Sequence, residues 1–215
     1  QDANGNGVGE ACVIARVGNW TKGLSHTAGA GIDRVLVFEV GHEDNKDVTV
    51  SAVTYGGQSL TRVDGTVVGT NSRVRIELWY LRESGITAAT NGTFVVTYGG
   101  GTVTSPHFAA ATYRNVDQTT PVFASAVTSI DASTPNPLPR TVNVTADGMA
   151  VAAAICGNSG SFTWANGWAE GTDQTVSTST SSSADHAATS SGTDTASATH
   201  TNQNRQAIVA LSLSV

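Results

Sequence analysis

Short runs of β-branched and aromatic residues, many alternating with polar ones and broken by glycine or asparagine about every ten positions, recur along this chain. The clearest is Arg73-Val74-Arg75-Ile76-Glu77-Leu78-Trp79-Tyr80. Val74, Ile76, Leu78 and Tyr80 fall on one side and Arg73, Arg75 and Glu77 on the other, the period of two that a strand imposes. Further strands are expected over 34–40, 48–55, 59–63, 93–98, 107–113, 141–145, 149–156 and 206–213, with a hairpin turn at Gly56-Gly57 and an extended connection through Pro135, Pro137 and Pro139. The predicted class is all-β, an antiparallel β-sandwich. The chain of 215 residues is expected to form one domain, since sandwiches and barrels reach this size as single units.

Composition narrows the function. Charged residues make up 13% of the chain, about half the usual share, and small polar residues fill the difference. The formal net charge of −6 repels phosphate backbones, and the basic residues form no stripe. Nucleic acid and anionic membranes are therefore disfavoured as partners. No apolar run is long enough to span a membrane. Gln1 in first place, with no initiator methionine, reads as the residue left after signal-peptide removal, which places the protein outside the cytoplasm; a shortened version of a longer chain is the other reading. Cys12 and Cys156 lie in apolar runs near opposite ends of the expected strand series. In an exported protein this pair is expected to be bridged, and closing so long a loop stabilises by roughly 5 kcal/mol in the chain-entropy view. Two separate thiols are the alternative.

Three stretches of the expected strand region, Val53 to Thr61 (VTYGGQSLT), Arg75 to Leu81 (RIELWYL) and Tyr113 to Pro121 (YRNVDQTTP), resemble a β-sandwich module of large secreted and surface proteins of bacteria. Their order and spacing match from about Ser25 onward. The resemblance implies a jelly-roll or lectin-like sandwich, an extracellular or cell-surface location, and company with adhesion and polysaccharide-related domains. It implies no activity. The N-terminal Cys12 region and the Ser/Thr-rich tract depart from the pattern.

Several segments invite a functional reading. The five histidines, His26, His42, His107, His186 and His200, show no zinc-ligand spacing. No Gly-x-Ser-x-Gly elbow is present, and Asp185-His186 amid many serines supplies triad residue types only by composition. A non-catalytic protein is expected. Phe162-Thr163-Trp164-Ala165-Asn166-Gly167-Trp168 is the best sugar-binding candidate, with Trp164 and Trp168 as aromatic platforms and Asn166 as a hydrogen-bonding amide; packing roles for both rings are the competing reading. Glu43, Asp44, Asn45 and Asp47 carry oxygen ligands suited to a structural calcium ion, with Asp117 as a remote ligand, although Lys46 opposes this. Apart from this ion no cofactor is expected. The tract 172–201 is expected to be a flexible loop, a polar hairpin or a site for O-linked sugar. Asn19, Asn91 and Asn143 begin N-glycosylation patterns, which in a bacterial protein are chance matches.

Residues 1–24 form an N-terminal segment in which Ala11-Cys12-Val13-Ile14-Ala15-Arg16-Val17 reads as a strand set apart by glycines. Such a strand can complete its own sandwich or add to the open edge of a second copy. The sequence-based expectation is a structural or adhesive subunit of an extracellular assembly, self-associating by strand addition, with a carbohydrate-binding module as the alternative.

Overall fold

The computed structural model describes residues 12–215 and is built almost wholly of antiparallel strands. The first half contains β1 (Ala15–Lys22), β2 (Val35–Asp44), β3 (Thr49–Tyr55), β4 (Gln58–Ser59), β5 (Thr61–Val68), β6 (Arg73–Arg82), a short helix α1 (Glu83–Ala88), β7 (Phe94–Gly99) and β8 (Ser105–Arg114). The second half contains β9 (Val122–Ile130), β10 (Leu138–Val144), β11 (Met149–Cys156), β12 (Phe162–Trp164), β13 (Ala169–Val176), β14 (Ser179–Ala187), β15 (Gly192–His200) and β16 (Gln206–Leu213). Each half makes one five-stranded and one three-stranded sheet: β1-β8-β2-β6-β5 and β4-β3-β7 in the first, β13-β14-β11-β16-β9 and β10-β15-β12 in the second.

The two five-stranded sheets pack face to face, and the three-stranded sheets cover their outer faces, giving four layers with three cores. Strand alternation explains why. On β2, Val35 and Val37 enter the central core while Leu36, Phe38 and Val40 enter the outer one, so the strand is apolar throughout. On β6, Val74, Ile76 and Leu78 share the central core with partly buried Tyr80, as the period predicts, and Trp79 and Leu81 line the other face. Phe38 stacks on Phe94 of the covering sheet at 3.9 Å between ring centroids. In the second half β11 does the same with smaller residues: Val151, Ala153 and Ile155 face inward, and Ala150, Ala152 and Ala154 face outward.

The halves are topologically equivalent. Read in sheet order, β1-β8-β2-β6-β5 corresponds strand for strand to β9-β16-β11-β14-β13, and the covering pair β3-β7 to β12-β15. β1 lies over β13 while β5 lies over β9, and β6 packs on β16 while β8 packs on β14. Those exchanged contacts are what a two-fold axis between the central sheets requires. No repeat of fixed period marks this duplication in the sequence, because the first half fills its layers with large residues and the second with alanine and serine.

Four expectations change. Cys12 and Cys156 are both free thiols, one exposed and one buried. The Ile14 N–H bonds the Asp147 carbonyl, beside the start of β11, whereas Cys156 ends that strand about 24 Å further on; a bridge needs Cα atoms within about 7 Å. Of the readings of the Ser/Thr tract the loop gives way to the hairpin: β13 pairs with β14, which is the second strand of its sheet and is buried from Ser179 to Asp185. Pro139, read as connection, lies inside β10, tolerated because β10 is an edge strand. The N-terminal strand begins at Ala15 and pairs with β8 of its own chain, Ala15 opposite Arg114 and Arg16 opposite Tyr113, with Cys12, Val13 and Ile14 preceding it; Ala11 lies outside the described residues.

Candidate functional site

The chemistry-bearing side chains gather between the two central sheets, on the side where β1, β8 and β2 face β13 and β14. Alternation along β14 aims Ser179, Ser181, Ser183 and Asp185 at this seam, while Ala184 turns to the outer core. Asp185 is its anchor. One carboxylate oxygen accepts bonds from Arg16 Nη1 at 2.6 Å, Trp20 Nε1 at 3.0 Å and Tyr113 OH at 2.9 Å, tying β1 and β8 to the opposing half. Burial and the Asp185 charge hold the Tyr113 hydroxyl well above its ordinary pKa, so it stays a donor.

The seam continues along β14. Ser183 bonds Thr172 at 2.6 Å, Gln174 Nε2 donates to the Phe108 carbonyl and to Ser181, and the His107 Nε2–Ser179 distance is 2.9 Å. At the far end Glu43 accepts from Ser72, Thr178 and Arg205, so a β2 carboxylate binds a residue next to β16. Glu39 sits midway and fully buried, beside Leu78 of β6 and Ala109 of β8. Ser181 and Ser183 approach it, yet neither carboxyl oxygen has a bond of ordinary geometry. Burial outweighs the serines and raises its pKa to about 7.

The histidines serve packing in the same way. Burial lowers His26, His42 and His107 to about 4, which keeps them neutral. His26 lies between Thr21 and Thr112, and His42 Nε2 bonds the Val48 carbonyl. Asp185 and the adjacent His186 point to opposite faces of β14, since His186 pairs with Asp194 at 2.6 Å and stacks on Trp168 at 6.0 Å. Asp185 and His186 therefore do not converge on one serine. Burial also pushes the Cys156 thiol up, and it is held among the Asn202 and Asn204 backbone groups.

The sugar-binding candidates separate. Trp168 is buried with Nε1 donating to Asp194, and Trp164, stacked on it at 6.1 Å, faces inward with Nε1 on Ser182. Only Asn166 is exposed, its amide bonded to the Thr195 carbonyl. The acidic turn also disperses: Glu43 is held by Arg205, Asp44 caps the Lys46 N–H and Asp47 pairs with Arg75 at 3.0 Å. Among the described residues no three His, Cys, Asp or Glu side chains converge on a metal position. Asp117 caps Thr119 in a different region, lining a hollow of about 320 Å³ with Cys12, Ile32 and Val215.

A surface concavity of about 710 Å³ is a groove where β4 and β5 meet the start of α1. Gln58, Ser59, Thr61, Tyr80, Arg82 and Ser84 line it, with the Arg82 guanidinium 6.0 Å from the Tyr80 ring. Sequence reading missed this groove because its residues come from three separate runs. It missed Glu39, and the tying role of Asp185, because neither role shows until the strand is known to be covered on both faces. No family model, curated protein or solved structure matches this chain. Among the described residues no helix is long and apolar enough to cross a membrane.

Proposed function

We propose that this protein is a non-catalytic structural or adhesive subunit of an extracellular assembly. The observation that carries the reading is the fate of its reactive side chains. The seam spends Asp185, Glu43, Arg16, Arg205 and His107 on ties between sheets, leaving an exterior dominated by small hydroxyl and amide groups. A body of four interlocked layers resists deformation, and such an exterior meets partners through backbone edges and hydroxyl contacts rather than chemistry. Negative-stain electron microscopy of the purified protein beside size-exclusion chromatography tests it. Regular assemblies are expected; a monomer under every condition that binds no surface or partner refutes it.

The groove beside Tyr80 favours a second reading, carbohydrate binding. A half-buried aromatic ring next to an amide, a guanidinium and three hydroxyls suits a sugar's apolar face and its hydroxyl rim. On this reading Tyr80→Ala removes retention on a polysaccharide column while Trp168→Ala lowers stability instead. Retention that survives Tyr80→Ala removes the groove from consideration.

A further inference from the structure

The sheet edges differ sharply in how they are protected. An open edge offers unpaired N–H and C=O groups, and folded proteins blunt it with charge, proline, bulges or brevity. Three of the four edges of the five-stranded sheets follow this rule. β1 carries Arg16 and Lys22 and shifts register between Val17 and Thr21. β5 carries Arg62 and Asp64 and shifts between them, and β13 carries Glu170 and Asp173 and shifts between Glu170 and Thr172. The small sheets are protected too: β4 and β12 are very short, β10 contains Pro139 and Arg140, and the start of β7 is covered by the Phe94 N–H to Leu24 carbonyl bond and the Ser25–Thr93 bridge.

β9 is the exception. Val-Phe-Ala-Ser-Ala-Val-Thr-Ser-Ile has no charge, proline or glycine and pairs with β16 without interruption from Ala124 to Ile130, its only irregularity lying at the Phe123 end. Among the described residues its backbone bonds no strand other than β16. Its Phe123 is 51% exposed. The symmetry-equivalent strand β1 has charges and a mid-strand register shift where β9 has no charge and an irregularity only at its end, so the two halves diverge at this edge.

We propose that β9 is a self-association edge whose partner is β9 of a second copy. This rests on the reading of the chain as a self-associating subunit and moves the contact away from the N-terminal strand. The occupant follows from the strand itself. Antiparallel pairing about Ala126 sets Val122 opposite Ile130 and Ala124 opposite Thr128, and no like charges meet, although each copy carries a net charge of −6. An isologous pair of this kind fuses two five-stranded sheets into one of ten strands and closes as a dimer, the building block of any larger assembly.

The test is sedimentation equilibrium of the full chain over a concentration series, with the Phe123→Lys/Ser125→Lys double variant and Ser125→Lys alone. Both positions are exposed, and Asp64, already bonded to Ser125, can receive the new ammonium group. The expected result is a wild-type dimer of two 22.0 kDa chains and monomers for both variants at unchanged melting temperature. Variants that assemble like wild type overturn the β9 assignment while leaving self-association standing. A wild type that remains monomeric throughout overturns both and leaves the edge to a strand from a different protein. Should the double variant misfold, Ser125→Lys alone decides the first question.

Discussion

Glu39 makes this fold's stability fall as pH rises through neutrality, a direction opposite to that of most carboxylates. Its pKa is raised from 4.5 to about 7 by burial. A group raised in the folded state contributes fully below its unfolded pKa, and that contribution is lost as pH climbs through the folded value. That rise in pKa corresponds to about 3 kcal/mol between the two protonation states. His26, His42 and His107 act the other way: each is lowered to about 4 from 6.5, so their contribution is present above 6.5 and lost as pH falls toward 4. The wild-type profile alone therefore mixes both effects. Glu39→Gln separates them, because any fixed cost of burying the amide is the same at every pH. Urea unfolding followed by tryptophan fluorescence from pH 4.5 to 8 should show the variant gaining about 3 kcal/mol on wild type across that range, a relative midpoint shift of about 1 M at a slope near 3 kcal/mol/M. A difference that stays flat with pH refutes the argument and means the folded protein stabilises the Glu39 charge.

Asp185→Ala strands the buried Trp20 and Tyr113 donors and the Arg16 guanidinium, and should cost about 3–5 kcal/mol in chemical denaturation; a loss below about 1 kcal/mol would show that the seam does not tie the halves. Gly171→Ala puts a Cβ 2.2 Å from Trp20 Cδ1, an overpacking expected to cost about 1–3 kcal/mol by thermal melting. With Ellman's reagent the native protein should titrate one rapid thiol, Cys12, and the unfolded protein two; no reactive thiol in either state would restore the bridge. Trp168→Ala should destabilise by about 3–5 kcal/mol, and a fold of unchanged stability would show that the ring is not part of the outer core.

The sequence revealed strands wherever large apolar residues carry the period. β2, β3, β6, β8, β11 and β16 were all legible, and the face assignments on β6 hold in the folded chain. β13 to β15 were left between loop and hairpin for one physical reason: most of their buried positions are alanine, serine and threonine, whose burial is supported by hydrogen bonds and by the large partners opposite; β9 was missed although Val122, Val127 and Ile130 pack against the cores. Reading the Ser/Thr tract at period two would have placed Ser179, Ser181, Ser183 and Asp185 together, as they are found. Their acceptors and donors, Trp20, His107 and Tyr113, are contributed by the other half and leave no local signal. The free cysteines illustrate the same limit, since their separation depends on which end of β11 each approaches.

The two-fold correspondence between halves also gives the segment from Asn115 to Pro121 a distinct role. It is a tether holding two sandwich units at high effective concentration, so that a contact equivalent to a homodimer interface forms within one molecule. Freed from the requirement that both sides match, the halves could specialise, one supplying the bulky aromatic filling and the other the serine row that bonds it. Cutting that tether would turn a property of one chain into a concentration-dependent equilibrium between two fragments.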